Sequence, residues 1–279
     1  MDKLRQILRL WGVYAKLDWY YSTQDVFTAL ITLITEALWG IASLIGTALL
    51  AVQFGGVGSL SASEVLVMLS FHLFARGWEV MLFAGNNVSC ISRRIGRAQV
   101  DHMLIQPIPL WIQLLTEGFM PVSGCQQLLF GFAALCVFVP KAGVDVTAGW
   151  IALLVLLVIC RIALYLSISF IAGSAAFYSP VGCEELSYIV QMLCDTVSDY
   201  PLSGMPRLLV GTLCTAVPLG LLTYLPGLLL IGRLDAIWAA WPALLSLIAV
   251  IAAQTLFRKG LTHYVKVGCA RYKDMGHRN

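Results

Sequence analysis

Charged residues are scarce in this chain: they make up only 12% of its 279 residues, against roughly 25% in an average soluble domain. Hydrophobic residues make up 59%. A soluble core could not bury this much apolar surface, so the composition predicts an all-α protein that crosses a membrane several times. The net charge of +3 is too small to favour nucleic acid as a partner.

The common signatures of soluble enzymes are also missing. The chain has no G-x-x-x-x-G-K-[ST] loop for nucleotide phosphates, no H-E-x-x-H and no G-x-S-x-G. Its eight cysteines include no C-x-x-C pair, and most lie in apolar runs, which is typical of small buried side chains rather than of metal ligands or disulfides. We therefore predict no catalytic residue, no metal site and no cofactor.

The chain begins with a segment in which apolar and basic residues alternate at helical spacing. Leu4, Leu8 and Trp11 recur along one face, with lysines and arginines between them. Residues 1–24 are predicted to form an amphipathic helix in the membrane interface, followed by an aromatic belt. The first long apolar run comes behind this segment and is too long for the core of a signal peptide.

Long apolar runs predict six membrane crossings with short loops between them. At about 1.5 Å per helical residue, each run of some 20 residues can cross a hydrocarbon core of about 30 Å. Ser61 and Glu64 have the spacing of a helix capping box at the start of the second run, and Pro121 interrupts the third. The five unambiguous spans are 27–52, 64–84, 111–139, 150–177 and 237–256.

The position of the remaining span is ambiguous. Residues 208–231 are the more apolar choice, but Pro218 and Pro226 can equally mark a broken, re-entrant segment packed within protein. Residues 184–199 are less apolar and contain four acidic residues. Hydropathy alone favours 208–231.

The distribution of lysine and arginine predicts the orientation. If the amino terminus is inside and there are six crossings, thirteen of the eighteen basic residues lie on the inner side: four in the first segment, three between spans two and three, and six in the tail, 258–279. Both termini are therefore predicted to be cytoplasmic, with Lys141 and Arg233 outside.

The largest polar interruption before the tail is residues 86–110, which we call the coupling segment. It holds Arg93, Arg94 and Arg97, followed by Asp101 and Pro107. Because so little else lies outside the apolar runs, we interpret it as the surface where a soluble partner pushes on the membrane part. A plainer role is to hold the loop inside, next to anionic lipid.

Charged residues inside the apolar runs cost roughly 2.5–3.5 kcal/mol each, so they are expected to find partners. His72, Arg76 and Glu79 share one helix face, with Glu79 the nearest partner for Arg76 in sequence. Two interpretations stay open, a polar seam along a substrate route or interhelical ion pairs that fix the packing. The other in-span charges are Glu36, Glu117 and Arg161.

Asp195 and Asp199 also share a helix face. They could act as a catalytic acid pair or a proton relay. A helix end near water is the plainer interpretation.

The segment Ile91–Leu110 resembles the cytoplasmic segment of type-2 ABC-exporter permeases, and most closely a bacterial branch with the pattern I-R-x-G-x-L-D-x-L-L-x-R-P. Gly96, Asp101, Leu104 and Pro107 match this pattern. The sequence departs from it at Val100, Met103 and Gln106. Residues 200–226, with their prolines, and the tail motif 260–268 also fit the family, so the resemblance spans nearly the whole chain.

The resemblance implies a half-transporter in the bacterial plasma membrane. Such a permease is embedded in membrane lipid and pairs with a second permease, which is either identical or a sister chain. Each permease binds a separate ATP-hydrolysing subunit. It implies 184–199 as span five, with 201–232 folded back from the outer side. It also implies that the ATPase docks at Arg93, Arg94, Gly96, Arg97, Asp101 and Pro107.

Two other functions are compatible with the sequence. The chain could be a secondary transporter working alone on an ion gradient, with Glu36, Glu79 or Glu117 as the proton site. It could also be a membrane-embedded enzyme using Asp195 and Asp199. Copurification of an ATPase would support the permease, whereas turnover by the isolated chain would support the enzyme.

The charge distribution makes a testable prediction about topology. In a cysteine-free background, Lys141→Cys should react with an impermeant maleimide added to intact cells, because Lys141 is predicted to lie outside. Labelling of this position only after lysis would contradict the orientation.

Overall fold

The computed structural model describes residues 2–268. Twelve helices and one two-stranded hairpin make up this part of the chain, joined by short 3₁₀ turns. The hairpin pairs β1 (Gly56–Val57) with β2 (Leu60–Ser61) in antiparallel register. The helices are α1 (Asp2–Gln24), α2 (Val26–Gln53), α3 (Ala62–Phe83), α4 (Val88–Gly96), α5 (Gln99–Leu104), α6 (Leu110–Thr116), α7 (Gln126–Lys141), α8 (Ala148–Gly173), α9 (Gly182–Asp199), α10 (Arg207–Cys214), α11 (Tyr224–Leu230) and α12 (Ala240–Val267).

Polar side chains fix where several long helices begin. Asp25 accepts a hydrogen bond from the Thr28 amide at the start of α2. At the start of α3, Ser61 and Glu64 form the predicted capping box, with the Ser61 amide donating to Glu64 at 2.7 Å and the Glu64 amide donating to Ser61 at 3.4 Å. Each such cap contributes about 1 kcal/mol by satisfying amides that the helix leaves unpaired.

Three helical stretches in the described part of the chain are long and apolar enough to cross a membrane: Ala62–Gly96, Ala148–Phe177 and Ala236–Val267. A fourth would be added if α10 and Pro218–Leu230 were one span, but these two pieces meet at a bend of 72°. The all-α membrane class predicted from composition is confirmed.

The third predicted run, 111–139, is interrupted in the structure, as Pro121 predicted. Two helices, α6 and α7, are separated by residues 117–125. The chain turns at Gly118, whose φ of 84° favours glycine, and Pro121 follows within the same break. As a result α7 has only 16 residues, and Glu117 lies just past the end of α6.

The last helix is longer than the sequence indicated. The predicted span ended at 256, but α12 continues to Val267 and carries the first basic residues of the tail as part of the helix. Residues 269–279 of the tail lie outside the described residues. The Glu36 side chain, in α2, also lies outside what the structure describes.

The pairing of α3 with α7 places backbone against backbone. Gly131 of α7 lies on the backbone of Leu73 and Phe74, and Gly77 of α3 lies on that of Leu128. Small residues at helix contacts allow this approach, which is the usual route to tight packing between membrane helices.

Replacing Gly131 tests this contact. In Gly131→Ala the new methyl group would overlap the Phe74 backbone, so we expect a destabilisation of about 1–3 kcal/mol, seen as a lower midpoint of thermal unfolding in detergent. The control is Gly12→Ala in α1, where the added methyl group meets nothing within 4 Å and the helix should gain stability. Equal unfolding midpoints for the two variants would contradict the packing.

Candidate functional site

The coupling segment folds into α4 and α5 with a sharp turn between them. The turn is made at Ala98, whose φ of 58° makes it the one residue other than glycine with a positive φ in residues 2–268. The Arg97 amide donates to the Arg93 carbonyl at 2.9 Å and ends α4. Gln113 of α6 then holds the exit of the segment by donating to the carbonyls of Met103 and Ile108.

One face of this segment is exposed. Arg93, Arg97, Asp101 and Pro107 lie on it, all four predicted from the sequence as docking residues. The most exposed large apolar side chain in this segment is Ile105, at 82%, which was not among the predicted docking residues. No local pattern in the sequence singled it out, because its exposure depends on where α5 ends.

Two of the predicted docking residues face inward. The Arg94 guanidinium is buried, lies 3.2 Å from the Glu117 carboxylate and donates to Asn86 at 3.4 Å. Gly96 is also buried, and a Cβ there would lie 3.2 Å from the Pro180 carbonyl. These residues position the segment on its neighbours and do not belong to its exposed face.

Arg94 and Glu117, for which the sequence predicted different roles, form an ion pair with each other. Glu117 was expected to be a pathway residue or a member of an ion pair, and in the structure it pairs with Arg94 of the coupling segment. A polar cavity of about 190 Å³ lies beside the pair, between Tyr14 of α1 and Gln99 of α5. Burial raises the pKa of Tyr14, Glu117 raises it further, and Arg94 opposes the shift.

The Asp18 carboxylate fastens α1 to the break before α7. It is buried and accepts hydrogen bonds from the amides of Val122 and Ser123, at 2.7 and 3.1 Å, and from the Ser123 hydroxyl. Trp11 stacks on Phe119 at 5.2 Å between ring centroids in the same junction. Sequence analysis did not predict this contact, because the partner of Asp18 lies more than 100 positions away.

A second group of polar residues is buried between the long helices. Three residues of α3 contribute to it, as the shared helix face predicted, together with one arginine of α8 and two aspartates of α9. We call it the polar cluster: His72, Arg76, Glu79, Arg161, Asp195 and Asp199.

The ion pairs of the polar cluster join different helices. Arg76 binds Asp195 of α9, and not Glu79, its nearest candidate in sequence. Glu79 faces Arg161 of α8 at 3.8 Å, and His72 Nε2 lies 3.3 Å from Asp199 Oδ1. The aspartates are therefore bound to α3, although their side chains stay about one-third exposed, at 32% for Asp195 and 31% for Asp199.

Arg161 supports the broken backbone between α10 and α11. It is 2% exposed, and its Nη1 donates to the Leu222 carbonyl at 2.7 Å and to the Thr223 hydroxyl at 3.1 Å. A helix break frees backbone groups that lipid cannot satisfy, so such a break must find polar partners inside the protein. Arg161 is therefore an anchor for this segment as well as a partner of Glu79.

The same arginine reaches His72. Its Nη1 lies 3.2 Å from His72 Nδ1, and the Thr223 hydroxyl lies 3.1 Å from the same nitrogen. On the other side of the ring, Nε2 faces the Asp199 carboxylate. His72 thus links Arg161 and Thr223 to Asp199.

A larger cavity than the polar one beside Arg94 and Glu117 is apolar and lies elsewhere. It measures about 710 Å³ and lies between α3, α7 and α8, lined by aromatic and aliphatic side chains such as Phe74, Trp78, Phe132 and Trp150. No group of three or more His, Cys, Asp or Glu residues in 2–268 is arranged to hold a metal ion.

The family model described as "ABC-2 family transporter protein" matches residues 37–268. The chain belongs to this family. Comparison with curated proteins gave no match, and comparison with solved structures gave none.

Membership confirms the predicted type-2 ABC permease class and makes the chain a multi-pass membrane component of a transporter. The matched region contains both the coupling segment and the polar cluster, while α1 lies before it. The contacts that α1 makes through Asp18 therefore lie outside the matched region and are seen only in the structure.

The pairing in the polar cluster can be tested by a double-mutant cycle. Removing one partner leaves a polar group unpaired at a cost of about 1–3 kcal/mol, so Arg76→Leu and Asp195→Leu should each destabilise the protein. The double variant Arg76→Leu/Asp195→Leu should unfold at a higher temperature in detergent than Arg76→Leu alone. The control is Arg76→Leu/Glu79→Leu, which should not recover stability, and recovery there instead of with Asp195 would contradict the assignment.

Proposed function

We propose that the chain is the permease subunit of an ATP-binding-cassette exporter in the bacterial plasma membrane. The proposal rests on the exposed face of the coupling segment within a chain of the ABC-2 family. That face presents Ile105 one helical turn after Asp101, with the exposed Arg97 earlier in the same segment. An apolar tip with charges around it is the composition of a protein-docking surface, whereas lipid anchoring needs only the arginines.

A separate ATPase subunit binds this face. Arg94 and Gly96 hold the segment rigidly against Glu117 and Pro180, so a push on the tip is passed to the helices behind it. Closing and opening of the ATPases would then shift the membrane helices between inward-open and outward-open states.

The proposed topology has six crossings with both termini cytoplasmic. The crossings are α2, α3, α7 with the break before it, α8, α9 and α12, and α1 lies in the interface. The 72° bend and the Arg161 bond to the Leu222 carbonyl support α10 and α11 as a re-entrant segment.

Two permeases, identical or sister chains, form the substrate route between them, where α2, α3 and α9 meet. Thr47 of α2 donates to the Asp199 carbonyl at 3.2 Å, so α2 and α9 are already in contact there. Arg76, Asp195 and Asp199 are the cluster members whose side chains keep access to this side. The remaining apolar faces, including the cavity lined by Phe74 and Trp150, contact membrane lipid.

Substitution of Ile105 tests the docking role. Ile105→Asp should leave expression and membrane insertion intact, because the side chain is 82% exposed, and should weaken ATPase binding at least tenfold, equivalent to about 1.4 kcal/mol. Asp101→Ala should act in the same direction. Binding is measured with purified complex in lipid, together with substrate-stimulated ATP hydrolysis at matched permease content.

The matched control is Val146→Asp, which changes an exposed apolar residue in the loop between α7 and α8, at the end of the bundle predicted to lie outside. It should leave ATPase binding unchanged. Wild-type binding and hydrolysis in Ile105→Asp would refute the docking role.

A further inference from the structure

The Glu79 carboxyl group is buried in the polar cluster without the contacts that an anion requires. The residue is 5% exposed, and its Oε2 makes no hydrogen bond to any residue in the described part of the chain. The nearest guanidinium nitrogen, Arg161 Nη2, is 3.8 Å away, beyond hydrogen-bonding distance.

Neither guanidinium group near Glu79 donates a hydrogen bond to it. Arg161 directs Nη1 to the Leu222 carbonyl, the Thr223 hydroxyl and His72 Nδ1, while its Nη2 stays 3.8 Å from Glu79 and its Nε has no hydrogen-bond partner in the described part of the chain. Arg76, one turn before Glu79 on α3, is bound to Asp195.

The remaining groups around Glu79 do not supply a positive charge. On its own helix, His72 is directed to Arg161 and Asp199, and it is not among the charged groups that act on Glu79. Tyr165 of α8 and Cys194 of α9 lie within electrostatic range, and neither can become a cation. In the described part of α7, no charged group is in range of Glu79.

A buried carboxylate without hydrogen bonds is so costly that the group takes up a proton instead. We propose that Glu79 is a proton-binding site, occupied in this conformation, whose proton determines which carboxylate Arg76 binds. The site is a property of the chain itself, and only its use in transport rests on the proposed function.

The switch follows from the spacing on α3. Arg76 and Glu79 lie three residues apart on one helix face, so one guanidinium can reach either Asp195 on α9 or Glu79 on its own helix. When the O–H bond of Glu79 breaks, the proton passes to water and an anion is left beside Arg76. The ionised Glu79 then competes with Asp195 for Arg76, and this competition weakens the contact between α3 and α9.

Infrared spectroscopy of the full chain in lipid nanodiscs tests the protonation directly. At neutral pH we expect the C=O stretching band of a protonated carboxyl group, lost completely in Glu79→Gln and retained in the control Glu185→Gln, which changes an exposed residue at the start of α9. A neutral-pH spectrum without this band, or a band that survives in Glu79→Gln, would overturn the proposal.

Thermal unfolding in the same nanodiscs gives an independent readout. Glu79→Gln resembles the protonated group in shape, so it should be at least as stable as the wild type at neutral pH. Because the folded chain holds a proton that the unfolded chain releases, the wild type should lose stability relative to Glu79→Gln as the pH rises. A Glu79→Gln variant that is less stable than wild type at every pH would show that Glu79 is an ionised partner of Arg161.

Neither measurement uses an ATPase or a substrate. Failure of the proposed function would therefore leave both expectations unchanged, and their failure would not affect ATPase docking at Ile105.

Discussion

The organisation of this protein depends on the high cost of placing charge in an environment that water does not reach. Arg161 shows the consequence most directly: the residue is 2% exposed, its Nη1 lies within hydrogen-bonding distance of a backbone carbonyl, a hydroxyl and an imidazole, and its Nη2 faces the Glu79 carboxyl group. These partners come from α3 and from the connection between α10 and α11. One buried charge therefore holds together elements that are up to 89 positions apart in sequence.

The same constraint explains the junction around α1. The break before α7 leaves amides without helical partners, and the buried Asp18 carboxylate accepts from two of them. Close by, Arg94 neutralises Glu117. Irregular backbone is tolerated here because side chains of another helix replace the hydrogen bonds that a continuous helix would have made.

The sequence predicted the helices better than their partners, and the reason is physical. Apolar runs and caps are local properties, so the predicted span 64–84 and the observed Ala62–Phe83 nearly coincide, and the capping box at Ser61 is confirmed. The partner of Arg76 is not a local property. Periodicity showed which face of α3 is polar, but Asp195 lies 119 positions away and was placed near water. Likewise, the motif located the coupling segment, but the inward partner of Arg94 is Glu117 beyond α6, which local spacing could not show.

The contact between α3 and α7 restricts how such a molecule can move. Helices that slide past each other do so by repacking side chains at their interface, in small shear steps. At Gly77 and Gly131 there are no side chains to repack, and the two backbones interlock. We therefore regard α3 and α7 as one rigid unit. Relative displacement during a conformational cycle then falls on the contacts made by side chains, above all those of Arg76 with Asp195 and of His72 with Asp199 between α3 and α9.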